Sequence, residues 1–163
     1  MIRCLQMMIL IVKLMWLQLP NFESDIMKLK LDILLRIFLW VMALHSFLVG
    51  IGLILVTNDI RILFGFKPSP EHFFQIQGGV FHIVMALGYT MPALSLKKFE
   101  SMVIFSIFVK LCATLFLLLY FTFGSTNWLI LFSGIIDFLM CIIAFILYKL
   151  FIKEQSRLKV GRL

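Results

Sequence analysis

Four ionisable side chains stand inside otherwise apolar runs: His45, His82, Lys110 and Asp137. Lys110 is the plainest case. It lies in MVIFSIFVKLCATLFLLLYFTF, Met102 to Phe123, with eight residues before it and thirteen after it, none of them charged. Lys110 and Asp137 can form a buried ion pair that fixes helix register. Alternatively, they can change protonation during work, or bind a polar ligand. His45 and His82 can each be satisfied by a neighbouring hydroxyl or carbonyl, can relay protons, or can ligate one haem iron from two helices. A haem ring needs small residues where it packs, and Gly50, Gly52, Gly78 and Gly79 stand in the same runs. Glycines serve plain helix packing equally well.

The elements that must position these groups follow from composition. Of 163 residues, 63% are hydrophobic and 14% charged, with a mean hydropathy of +1.09. A water-soluble domain of this size needs a more polar surface, so the composition points to one all-α integral membrane domain. Four runs approach the roughly 20 apolar residues that cross a bilayer. They are about 33–56, 73–94, 102–123 and 128–152, and they predict an antiparallel four-helix bundle. The net charge of +7 sits in short segments between these runs. Such a distribution suits topology and anionic headgroups rather than nucleic acid. The partners expected are therefore the lipid bilayer and either a second copy of the chain or a larger membrane complex.

Lys and Arg number five up to Arg36, two in SLKKFES and five from Lys149 onward, against Arg61 and Lys67 alone in the other two links. Twelve against two is a positive-inside bias that places both termini in the cytoplasm, in a cell (inner) membrane. Residues 154–163 then read as a basic cytoplasmic tail. Residues 1–26 are apolar but interrupted by Lys13 and closed by Pro20, ahead of a second plausible start at Met27. They read as separable from the working protein, or as lying on the membrane. In the Thr57–His72 link, SPEH reads as a helix start, with Ser69 as N-cap and Pro70 at the first helical position. IRILFGF is too short to span, and reads as a plain loop or as a lid at the interface.

At about 1.5 Å per residue, Lys110 comes to lie roughly 12 Å from the cytoplasmic side, Asp137 roughly 16 Å, and His45 and His82 roughly 17–18 Å. The helical faces agree. Gln75, Gly78, His82, Ala86 and Tyr89 form one polar and small stripe, and Ser133, Asp137, Cys141 and Ala144 form another. His45 shares a side with Gly52, and Thr114 lies one turn from Lys110. With the stripes inward, the candidate polar core is Lys110, Asp137, His45, His82, Tyr89, Gln75, Thr114 and Ser133. A charge at mid-span costs about 2.5–3.5 kcal/mol on insertion scales, so Lys110 is tolerated where Asp137 on the next helix receives it.

No G-x-S-x-G, H-E-x-x-H, phosphate loop or dinucleotide fingerprint occurs. Cys4, Cys112 and Cys141 form no C-x-x-C, and buried small apolar roles suit the two inside runs. The layout resembles the small four-span proteins of the DoxX-like superfamily over about Met27 to Lys153. The resemblance rests on VGIGLILV in the first run, on QIQGGVFHIVMALGYTMPAL, and on the aspartate of SGIIDFLM. It implies a short bundle with both ends cytoplasmic, and for some members a role as auxiliary subunits of respiratory or sulfur-oxidising complexes; no catalytic residue carries over. Three functions are expected to compete. One is a non-enzymatic accessory subunit or small-molecule binder. The second is a redox protein holding haem or quinone in the bundle, and the third a proton- or ion-coupled carrier acting as an oligomer.

Overall fold

The computed structural model describes the backbone of residues 2–160 and the side chains of residues 26–157. Its described residues are helical apart from short links, with no strand among them. The helices are α1 (Ile2–Leu55), α2 (Asn58–Leu63), α3 (Phe73–Leu94), α4 (Glu100–Phe123) and α5 (Trp128–Val160). Three segments are long and apolar enough to cross a membrane: Ile26–Leu55, Glu100–Phe123 and Trp128–Arg157. The chain is thus a multi-pass membrane protein. The fourth long helix, α3, coincides with the apolar run 73–94 but is less apolar, because Gln75, Gln77, His82 and Tyr89 interrupt its hydrophobic residues.

The long helices pack in a closed circuit, α1 on α3 and α5, and α4 on α5 and α3. The turn Gly124–Asn127 makes α4 and α5 antiparallel neighbours. Beside its buried apolar residues, the bundle buries several polar side chains and exposes many large apolar ones. Lys110, Ser106, Thr114, Asp137 and Ser46 are buried, while Phe123, Phe116, Leu87 and Phe81 are exposed. Polar groups inside and aromatic rings outside suit a lipid surround. An apolar layer of Leu35, Leu39, Met42, Ala93, Val103 and Leu147 packs beside the polar groups.

Glycine sets the α1–α3 contact. A Cβ on Gly50 would meet the Gly79 carbonyl oxygen at 2.8 Å, and one on Gly79 would meet the Gly50 oxygen at 2.7 Å. The two backbones touch here. Toward the opposite end of α3, the helix ends with unpaired carbonyls, as every helix does. Arg36 of α1 satisfies two of them: Nε donates to Ala93 O and Nη2 to Leu94 O, both at 2.8 Å. A cation there also faces the negative end of the helix dipole. Asp32, one turn away on α1, lies 3.7 Å from the same guanidinium.

Several boundaries differ from the sequence expectation. Helix α3 starts at Phe73 with His72 as N-cap, not at Ser69. Ser69 is drawn away: its N–H donates to Asn58 Oδ1 and its carbonyl accepts from Asn58 Nδ2. Its hydroxyl donates to Glu71 O rather than capping the helix. The first link is not a plain loop, since it contains the short helix α2. Asn127 Nδ2 ties the end of α2 to the α4–α5 turn by donating to Phe64 O. Helix α5 continues through Val160, so residues 154–160 of the expected basic tail are helical. At the other end, α1 is assigned from Ile2 without a break near Met27 or Pro20. The expectation of a separable 1–26 segment falls, but for Ile26, on residues whose side chains lie outside those described.

Candidate functional site

Each of the four long helices brings one side chain to a common polar core. On α4, Val103, Ser106, Lys110 and Thr114 are buried at spacings of three and four, which makes one face. Ser106 and Thr114 spend their hydroxyl protons within the helix, donating to Met102 O at 2.6 Å and to Lys110 O at 2.8 Å. This i−4 bonding leaves no hydroxyl donor unsatisfied on a buried face. On this buried face, Lys110 is then the polar side chain that reaches across to another helix.

It reaches Asp137 of α5. Lys110 Nζ lies 2.5 Å from Asp137 Oδ1, with side chains 3% and 6% exposed. From α1, His45 Nε2 stands 3.9 Å from the same carboxylate oxygen, and the His45 side chain is 28% exposed. From α3, the buried ring of Tyr89 lies beneath the ammonium, with Nζ 5.8 Å from the ring centroid. A cation over an aromatic face is stabilised by the ring quadrupole, more so when water is excluded. The chemistry available is therefore charge neutralisation inside a low-dielectric core, with one half-buried imidazole beside the shared carboxylate.

His82 lies apart from this pair in its bonding. Ser46 Oγ donates to His82 O at 2.9 Å and stands 3.3 Å from His82 Nδ1. His82 is thus held by an α1 hydroxyl, a partner absent from the expected core residues. Ser46 follows His45 directly and falls at the depth of His82, which is the signal that marks it.

Two expected core residues take other places. Gln75 belongs to the far end of α3: Nε2 donates to Leu53 O at 2.7 Å and Val56 O at 3.2 Å, and its Oε1 accepts from Arg61 Nη1. It caps the C-terminal end of α1, roughly 10 Å along the helix from His82. Ser133 is half-buried one turn from Asp137, and among the described residues no hydrogen bond joins it to Lys110 or Asp137. The glycines in contact also differ from those on the expected inward faces, by two positions on α1 and one on α3. Gly52 has nothing within 4 Å of a built Cβ and Gly78 has ordinary room, whereas Gly50 and Gly79 make the contact. Cys141 is buried, and its thiol donates to Ile107 O at 3.5 Å. Among the described residues, no three His, Cys, Asp or Glu side chains converge as a metal site would require.

Compared with known proteins, the chain matches no family model, no curated protein and no solved structure.

Proposed function

We propose that the protein is a small, non-enzymatic four-span membrane protein with both termini cytoplasmic, acting as an accessory subunit of a larger membrane assembly. The observation that carries this reading is the commitment of the core groups to one another. Lys110 and Asp137 are both buried and paired at 2.5 Å, so the strongest charges in the core are engaged in holding α4 to α5. Work is then left to the outer faces of the helices. The resemblance to DoxX-like four-span proteins points the same way. The fourth crossing is α3, whose Gln75 and His82 are satisfied by α1 and therefore do not face lipid unpaired.

Two measurements test this reading. Reporter fusions at Thr126 and at the C-terminus are expected to signal from opposite sides of the membrane, and same-side signals refute the topology. Native electrophoresis after mild detergent extraction from its own membrane is expected to place the 19.0 kDa chain in a species containing other chains. Migration as a single chain overturns the accessory role.

The position of His45 favours a second reading, a proton-coupled carrier. Its Nε2 is 3.9 Å from the carboxylate that holds Lys110, and its side chain is partly exposed. A proton arriving at His45 would compete with Lys110 for Asp137.

A further inference from the structure

The outer faces of α4 and α5 form a groove of about 440 Å³, lined among others by Ile107, Leu111, Phe138, Ile142 and Phe145, with Tyr148 and Lys149 at one end. We infer that it binds one acyl chain of an anionic phospholipid, with the headgroup phosphate held by Lys149 and Lys153. The inference rests on the membrane-spanning reading above.

Three observations select this occupant. The first is length. From Phe138 to Lys149 the groove follows α5 for eleven residues, or about 16 Å, close to half of the roughly 30 Å hydrocarbon core. That is the depth of one leaflet, so the groove suits a single extended chain. The second is charge. Lys149 stands at the mouth, and Lys153 follows one turn later, also exposed. The Tyr148 hydroxyl donates to Glu100 Oε1 at 3.1 Å, which brings the start of α4 to the same end. Lys97 and Lys98, just before that start, add to the positive field, and Glu100 is engaged by Tyr148. Basic side chains at this level attract anionic headgroups. The third is the polarity gradient. The groove is apolar along its length and cationic only at its mouth, the inverse of an anionic phospholipid. Lys149 Nζ already sits over the Phe145 ring at 5.5 Å, which places the ammonium at the groove end.

The test uses the full chain carrying Phe145→Trp, reconstituted in phosphatidylcholine vesicles. Small amounts of acyl-brominated phosphatidylglycerol or acyl-brominated phosphatidylcholine are added, and quenching of the parent chain's own tryptophans is subtracted. Brominated phosphatidylglycerol is expected to quench at least about fivefold more effectively than brominated phosphatidylcholine. With Lys149→Gln and Lys153→Gln added, the preference is expected to vanish while quenching by phosphatidylcholine stays. Equal quenching by the two lipids in the Phe145→Trp chain overturns the inference, as does no quenching by either in protein that floats with the vesicles. Protein that fails to float overturns the membrane-spanning reading instead. Ile142→Trp, one turn deeper in the groove, reports the same preference if Phe145→Trp disturbs the mouth.

Discussion

Replacing Lys110 with Met, or Asp137 with Leu, is expected to destabilise the protein by about 3–5 kcal/mol, and making both changes together by far less. The asymmetry follows from what each change leaves behind. In the native protein the two charges are buried and neutralise each other at 2.5 Å. Removing one leaves its partner in a medium that solvates ions poorly, whereas removing both leaves apolar groups of similar size in an apolar core. Lipid-embedded reference states find other partners for stranded polar groups, which lowers all three figures without changing their order. The two single variants are not expected to be equal. In Lys110→Met the stranded carboxylate still has His45 Nε2 at 3.9 Å, and an imidazolium there can pair with it. In Asp137→Leu the stranded ammonium faces the Tyr89 ring at 5.8 Å, a weaker partner. Asp137→Leu should therefore be the more damaging. Thermal unfolding of the singles and the double in detergent gives the coupling directly. A double variant as unstable as the sum of the singles would show that the charges do not interact. A stable double variant that has lost the protein's native assembly or transport would assign the pair to function rather than to architecture.

The meeting of Lys110 and Asp137 is legible in the sequence because two separate constraints agree. Depth counting puts both groups near mid-membrane, and the turn at Gly124–Asn127 forces α4 and α5 together. Thr114 was legible as a neighbour of Lys110 by spacing alone. Gln75 lies outside the polar core because a stripe at helical spacing marks a face but not a depth. The same face that carries His82 and Tyr89 inside continues to the helix end, where Gln75 meets the carbonyls of Leu53 and Val56. Arg36 looked like one more cytoplasmic charge. Its role in capping α3 depends on the packing of α1 beside that helix, which spacing along the chain does not show. Ser69 had the residue type and the following proline of an N-cap, but Asn58 competes for it through two hydrogen bonds. The bounds of α3 were readable because its apolar run begins and ends where the helix does. The α1–α3 crossing is the least readable, since α1 offers Gly50 and Gly52, α3 offers Gly78, Gly79 and Gly88, and one step along a helix turns the face by about 100°.

That crossing yields a test in which near neighbours in the sequence should respond differently. Gly79→Ala is expected to destabilise the protein by about 1–3 kcal/mol, and Gly79→Val by more. The added Cβ would lie 2.7 Å from the Gly50 carbonyl oxygen and 2.6 Å from Ile54 Cγ1. The isoleucine can rotate away, but the backbone oxygen can move only if α1 and α3 separate. Separation would pull Ser46 from His82, since that contact lies on the same pair of helices about one turn away. Gly50→Ala should behave alike, with its Cβ 2.8 Å from the Gly79 oxygen. Gly78→Ala and Gly52→Ala are the controls. A Cβ on Gly78 meets Leu53 Cδ1 at 3.9 Å, ordinary contact, and one on Gly52 meets nothing within 4 Å. In those positions alanine restricts the unfolded chain and favours the helix, so the change should be neutral or stabilising by up to about 1 kcal/mol. Unfolding temperatures of the four alanine variants in one detergent decide the matter. If Gly78→Ala and Gly79→Ala lose stability equally, the backbone contact between α1 and α3 is not where the helices meet. If Gly52→Ala is the damaging change on α1, the face of that helix is rotated from the one that brings Ser46 to His82.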